Sequence, residues 1–143
     1  MVVLADRLEA GGDVNPALLD RIVEFFRTFA DRCHHGKKEA WFFPTLVHRD
    51  VPSQGCPLGG LTMEHEKGRQ MVNDFAAAIQ TWKSKEVVAP ETLVKTLRSL
   101  ATFYPSHIWK EDYLLLPLGR QTPDSRGQAG TGREVRRCGA RDR

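Results

Sequence analysis

The sequence predicts an all-α fold, an up-and-down antiparallel four-helix bundle whose first helix is truncated. Three long segments repeat apolar residues in steps of three and four, which is the pattern of a helix with one buried face. No segment alternates polar and apolar residues with a period of two over a useful length, so no sheet is predicted. Short connections separate the segments, as in an antiparallel bundle.

The length and composition indicate one domain followed by a tail. We assign residues 1–118 of the 143 to the bundle and residues 119–143 to a disordered Arg/Gly-rich tail. Residues 120–143 hold 7 arginines against 3 acidic residues and almost no large apolar residue, so this segment cannot bury enough surface to order itself. Because the net charge of +3 comes from the tail, we predict no nucleic-acid partner for the domain.

Apolar runs, the N-terminal residues and cysteine usage indicate where in the cell the protein lies. No apolar run approaches the roughly 20 residues of a membrane span, so no membrane partner is predicted, and the N-terminus lacks the features of a signal peptide. The three cysteines form no CxxC pair and are odd in number. We therefore expect a cytoplasmic protein.

The first two helices follow from their end signals. Residues 1–10 have the character of a short helix that Gly11 and Gly12 stop. Asn15 and Pro16 then predict a helix start, with a capping side chain and a proline at the first helical position, and the helix should run to about Val47. Its predicted apolar side comprises Leu19, Ile22, Val23, Phe26, Phe29, Ala30, Cys33 and Trp41.

Two further helices follow a loop at residues 49–59, which Pro52, Gly55 and Pro57 keep from being helical. The third should run from about Leu58 to Lys83, and the fourth should open at Pro90 and end near Leu118. The predicted buried face of the third is Leu61, His65, Gly68, Val72, Phe75 or Ala76, and Ile79. The predicted buried face of the fourth is Leu93, Leu97, Leu100, Tyr104, His107, Glu111, Leu114 and Leu118.

Polar residues on these apolar faces mark a candidate site. His107 and Glu111 lie four residues apart, one helical turn, and His65 lies on the face of the third helix. The segment HHGKKEAWFFP, which begins at His34, aligns without gaps on HIWKEDYLLLP, which begins at His107, so a second helix carries a similar histidine-then-acid pattern with Glu39. A buried His–Glu hydrogen-bonded pair is the alternative interpretation of the fourth helix alone.

Imidazole and carboxylate side chains that converge from several helices are how a bundle builds a metal site. Neutral imidazole and carboxylate, without thiolate, suit iron, manganese or zinc. A carboxylate can bridge two metal ions, so acids on helices also suggest a dinuclear centre.

Three motifs, CHHGKKEAWFFP, EHEKGR and HIWKEDYLLLP, occur in the order and at the spacing of the hemerythrin-like, HHE cation-binding domains, which residues 1 to about 118 resemble. The resemblance implies a four-helix bundle with a non-heme di-iron centre bridged by oxygen and carboxylates. It also implies a protein that binds or senses O2, or handles iron and small oxidants. By the same resemblance His34, His65, His107 and Glu111 occupy the positions of ligands, with Asp112 as a second acid beside Glu111.

The chain departs from the family pattern at three places. No histidine precedes His34, Lys38 stands where the family has an acid, and Arg69 stands where some members have another histidine. A lysine ammonium cannot ligate a metal and repels cations. Glu39 could substitute for the acid, and His35 with Glu39 restores the four-residue spacing in a shifted register. The predicted metal ligands are His34 or His35, His65, His107, Glu39 and Glu111.

The functional prediction is a non-heme di-iron protein that binds O2 or senses oxygen or redox state, with O2 or small oxidants as partners and with manganese or zinc as alternative metals. A truncated, metal-poor helical bundle that serves as an interaction or structural module is the alternative. A di-iron site could also reduce peroxide or oxidise Fe(II), but we see no separate acid–base machinery and do not class the chain as an enzyme. Apolar surface left by the short first helix could drive formation of a homodimer.

Overall fold

The computed structural model describes residues 1–84 and 89–121, and the described residues form four helices without a strand. The helices are α1 (Val2–Glu9), α2 (residues 16–47), α3 (Leu58–Lys83) and α4 (residues 89–121). α1 and α3 both pack against α4, and α2 packs against α3. This arrangement confirms the predicted all-α bundle with a short first helix. The predicted disordered tail lies outside the described residues from position 122 onward, and residues 119–121 belong to the end of α4.

The helix ends lie where the sequence signals predicted them. The Asn15 side chain accepts a hydrogen bond from the Ala17 backbone N–H at 2.9 Å, and Pro16 is the first residue of α2. Gly11 follows α1 with a φ of +70°, which glycine adopts more readily than other residues. α3 has the predicted bounds, and none of the helices in the described part of the chain is long and apolar enough to cross a membrane.

α2 and α4 contain π-helical segments that the sequence analysis did not predict. α2 is α-helical at Pro16–Phe25, π-helical at Phe26–His35 and Lys38–Phe42, and α-helical again at Phe43–Val47. α4 is α-helical at Ala89–Lys110, π-helical at Glu111–Leu115 and α-helical at Leu116–Gln121. A π-helix bonds residue i to i+5, so each turn holds more residues than the 3.6 of an α-helix.

The wide turns change which side chains face the core. In α2 the buried positions Phe26, His35 and Phe43 recur in steps of nine and eight residues. Phe29 and Trp41, which were predicted on the apolar side, are 57% and 75% exposed, so that part of the prediction was wrong. The prediction assumed a period of 3.6 throughout, which the π-helical turns do not follow.

In α4 the same effect moves burial from Leu114 to Leu115. Leu114 was predicted on the buried face, but it is half-buried, whereas Leu115 within the π-helical segment is fully buried. Leu118 is also only half-buried. The remaining predicted positions of this helix are buried, from Leu93 to Glu111.

The core consists of two apolar clusters with a polar layer between them. The large apolar cluster contains Ala5, Leu8, Val14, Leu19, Val23, Phe26, Val72, Phe75, Ala78, Ile79, Leu93, Val94, Leu97, Leu100 and Tyr104. The small apolar cluster contains Phe43, Leu46, Leu58, Leu61 and Leu115. Along α2 and α4 the chain passes from the large cluster to the small one, and along α3 it passes the other way, as an up-and-down bundle requires.

Gly68 lets α3 and α4 approach closely beside the polar layer. A Cβ atom at this position would lie 3.3 Å from Phe103 Cε1 and 3.4 Å from the Tyr104 hydroxyl oxygen. The first contact would be tighter than most real Cβ contacts and the second is at the limit of ordinary van der Waals distance, so a larger residue would need the Phe103 ring to shift. Glycine at this position therefore leaves room for the Phe103 and Tyr104 side chains of α4.

Candidate metal centre

The polar layer consists of four buried side chains, one from α2, one from α3 and two from α4. His35, His65, His107 and Glu111 are all at most 3% exposed. Each offers one ligand atom, and these four atoms lie within 4.8 Å of one another. Three imidazoles and a carboxylate at this separation form a donor set that suits a divalent metal ion.

The histidine rings pack directly on one another. The rings of His35 and His65 are stacked, with centroids 3.9 Å apart and planes 12° apart. The His107 ring stands nearly perpendicular to both, at 5.1 Å from His65 and 5.4 Å from His35. Since the apolar clusters flank this layer on both sides, the rings have little freedom to turn away from one another.

Each buried histidine has a carboxylate beside its Nδ1 atom. The distances from Nδ1 are 3.5 Å from His35 to Asp31, 2.6 Å from His65 to Glu39 and 3.0 Å from His107 to Glu64. A histidine that ligates a metal almost always gives its other ring N–H to such a partner, which fixes the tautomer and the ring orientation. Glu39 and Glu64 therefore match the outer shell of a metal site, whereas Asp31 lies within ion-pair distance of His35 Nδ1 without a hydrogen bond to it.

Two ring nitrogens of this layer have no hydrogen-bond partner among the described residues: His35 Nδ1 and His107 Nε2. His107 Nε2 has Glu111 Oε1 at 3.1 Å, within ion-pair distance, yet it makes no hydrogen bond there. A buried polar atom without a partner costs free energy, so each one needs an explanation such as a bound ion.

The protonation of the cluster suits metal binding. Burial, together with the neighbouring imidazoles of His65 and His107, lowers the pKa of His35 to about 4, so this histidine is neutral at pH 7. Burial alone would raise the pKa of Glu111, but its contacts with His107, His65 and Lys38 lower the pKa far more. A neutral imidazole and an ionised carboxylate are the forms that ligate metals.

His107 differs from His35 because it has two carboxylates as neighbours. Burial alone would lower the pKa of His107, but Glu111 and Glu64 outweigh burial, and the net effect is a raised pKa. Glu64 also forms an ion pair with Lys110, and the contacts with Lys110 and His107 lower the Glu64 pKa against the effect of burial. A metal ion would therefore have to compete with a proton at His107.

Lys38 and His34 lie on the other side of Glu111. Lys38 Nζ is 2.5 Å from Glu111 Oε2 and 2.6 Å from His34 Nε2, and its side chain is only 13% exposed. His34 Nε2 lies 3.2 Å from the same carboxylate oxygen, but the His34 side chain is 43% exposed. Of the two adjacent histidines, His35 thus joins the four-residue group and His34 stays at its edge.

Glu39 also lies outside the four-residue group. Its Oε1 accepts hydrogen bonds from His65 Nδ1 at 2.6 Å and from the Arg69 guanidinium at 3.0 Å, and its Oε2 accepts a second one from Arg69 at 3.1 Å. Arg69 also donates to Asp31 at 2.7 Å. Asp112, the second acid considered in the sequence, is exposed. The ligand roles predicted for His34, His35, Glu39, His65, His107 and Glu111 stay predictions.

A cleft of about 570 Å³ opens beside the cluster. His35 forms part of its wall, and it is the one residue of the four-residue group that lines the cleft. The other lining residues are Phe26, Arg27, Asp31, Arg32, Gly36, Arg69, Val72, Asn73 and Tyr104. Because His35 is only 2% exposed, the cleft ends at the polar layer and does not reach the other three side chains.

The sequence analysis missed the roles of Asp31 and Glu64. Asp31 lies four residues before His35, which is a spacing that brings side chains together on a helix and could have identified it. Glu64 directly precedes His65 but contacts His107 on another helix, so nothing in the local sequence indicates its partner.

The bundle and its buried histidine–glutamate layer define an all-α protein with a candidate cation site. The family model of the Hemerythrin HHE cation binding domain matches residues 2–119, and the chain belongs to this family. No curated protein and no solved structure matches the chain significantly.

Proposed function

We propose that this protein holds a non-heme metal ion, iron by analogy with its family, in the His35–His65–His107–Glu111 group and responds to O2 or to redox state. Cation binding is what the family description gives. The choice of iron, the response to O2 and small oxidants and a location in the cytoplasm are our proposals.

The observation that carries the proposal is the orientation of the three histidines. Each has a carboxylate beside Nδ1, and the Nε2 atoms of His65 and His107 both point toward Glu111 Oε1, at 3.4 and 3.1 Å. A layer that served packing alone would gain stability from apolar residues of the same volume, because buried ionisable groups carry a desolvation cost. A bound cation would neutralise Glu111 and satisfy His107 Nε2, which lacks a hydrogen-bond partner.

The surrounding residues fit a metal that reacts with a small ligand. Bound iron would supply a reversible one-electron change and a coordination position that a ligand can occupy. The two apolar clusters exclude water from two sides of the layer, and the cleft approaches it from a third side, at His35. Glu39 and Glu64 would hold the imidazoles of His65 and His107 in place while the charge of the site changes.

The test is anaerobic reconstitution with Fe(II) of the wild-type chain, the His65→Ala variant and the His48→Ala control, in which a solvent-exposed histidine is removed. We expect Fe(II) at 100 times its Kd to stabilise the wild type and the control by about 2.7 kcal/mol against unfolding. The His65→Ala variant should show no such effect. On admission of air, the wild type should develop new near-ultraviolet and visible absorption.

The outcomes separate the parts of the proposal. If Fe(II) leaves the unfolding of the wild type unchanged, the protein is a metal-poor helical module and the proposal fails. If Fe(II) stabilises the chain but air changes no absorption band, iron binding stands and the response to O2 is wrong.

A further inference from the structure

Glu111 has two sides that face different kinds of partner. Its Oε1 faces the imidazoles, with His65 Nε2 at 3.4 Å and His107 Nε2 at 3.1 Å. Its Oε2 faces the Lys38 ammonium at 2.5 Å and His34 Nε2 at 3.2 Å. This is the arrangement of a carboxylate that bridges two cations, except that one of the two positions holds the end of a lysine side chain.

The Lys38 side chain is mostly buried and has two polar partners. Its side chain is 13% exposed, and its ammonium contacts His34 as well as Glu111. A buried carboxylate needs a positive partner, and the Lys38 side chain supplies one. A divalent ion on the same side of Glu111 would meet both the occupied oxygen and a like charge.

The other acid that could bridge two ions is also paired with a cation. Both oxygens of Glu39 accept from the Arg69 guanidinium, at 3.0 and 3.1 Å, and Oε1 in addition contacts His65 Nδ1. The guanidinium is fixed from its other end by Asp31 at 2.7 Å. Arginine keeps its charge under all ordinary conditions, so Glu39 is not free to bind a second ion while this pairing lasts.

We propose that the site holds one metal ion rather than two, and that the ammonium of Lys38 takes the place of the second ion on Glu111. The single ion lies among His35, His65, His107 and Oε1 of Glu111. The inference rests on the proposed function, because it assumes that the four-residue group binds a metal. Lys38 is then the residue that sets the metal stoichiometry of this chain, and Arg69 supports it by holding Glu39.

The experiment measures the number of Co(II) ions bound per chain by equilibrium dialysis and visible absorption, without oxygen. The variants are Lys38→Glu, which replaces the ammonium with a ligand, and Lys37→Glu, which makes the same charge change at an exposed neighbour. We expect one Co(II) per chain for the wild type and for Lys37→Glu, and two for Lys38→Glu. Circular dichroism checks that each variant keeps its helices.

Lys38→Gln provides a second route if the glutamate variant does not fold. It removes the charge and offers an amide oxygen, so a second Co(II) should bind at least tenfold more weakly than the first. Two ions in the wild type would overturn the inference, and so would a single ion in a folded Lys38→Glu or Lys38→Gln variant. If the wild type binds no Co(II) and no Fe(II), the proposed function itself fails, which is a distinguishable result.

Discussion

α3 and α2 each bring one histidine to the buried layer, but they do so with different helix geometry. α3 is α-helical from Leu58 to Lys83, and its buried positions recur mostly in steps of three and four residues. α2 has π-helical turns on both sides of Gly36, and its buried positions near the site recur in steps of nine and eight. π-helical turns occur frequently at functional sites.

The difference has a consequence for the chemistry of the site. The wide turns of α2 turn His35 inward and place His34, Lys38 and Glu39 around the edge of the layer. The regular turns of α3 place His65 inward and Arg69, one turn later, against Glu39. The inward position of His65 on α3 thus follows from its helical register, whereas the inward position of His35 and the charged residues around it on α2 depend on a local change in register.

The largest expected effect distinguishes the two adjacent histidines of α2. His35→Ala should weaken Fe(II) binding by at least about 1,000-fold, or about 4 kcal/mol, because it removes one of four donors. His34→Ala should weaken it by less than about tenfold, since His34 is at the edge. Isothermal titration with Fe(II) under nitrogen measures both. A larger loss for His34 would mean that α2 presents the other histidine when the metal is bound.

The second expected effect concerns folding stability, and it tests which side chains the π-helical segment of α2 buries. Phe26→Ala should lower the free energy of unfolding by about 3 kcal/mol, because this side chain is buried and stacks on Tyr104 with ring centroids 4.5 Å apart. Phe29→Ala should lower it by about 1 kcal/mol or less, because Phe29 is 57% exposed and stacks on Phe25, itself an exposed side chain. Urea denaturation followed by circular dichroism gives both values. Equal losses would indicate an α-helical register for this part of α2.

The smallest expected effect compares the two acids beside His65 on α3. Glu64→Gln should weaken Fe(II) binding by about tenfold, because Glu64 contacts Nδ1 of His107 at 3.0 Å and supports its basicity. Glu66→Gln should change the affinity by less than about twofold, since the Glu66 side chain is 76% exposed and its contact is with the Arg69 guanidinium at 3.3 Å. The same Fe(II) titration applies. If both variants behaved alike, the role assigned to Glu64 would be wrong.

The amino-acid sequence by itself determined the four helices and most of the core. Side-chain spacing and helix-end signals fixed the bounds of α3, the end of α1 and the start of α2, because these depend on neighbouring residues in the chain. The buried positions of α3 followed as well, including His65. The motifs also identified the family, which the match over residues 2–119 confirmed.

Only the tertiary structure decided which of the candidate side chains meet. The choice between His34 and His35, and between Leu114 and Leu115, depends on π-helical turns that no local pattern signalled. The pairing of Glu64 with His107 depends on contacts between helices that are distant in sequence, and so does that of Lys38 with Glu111. The spacing of apolar residues predicts the buried face of one helix if the number of residues per turn is constant. A site formed by side chains from three helices depends in addition on how those helices are aligned with one another.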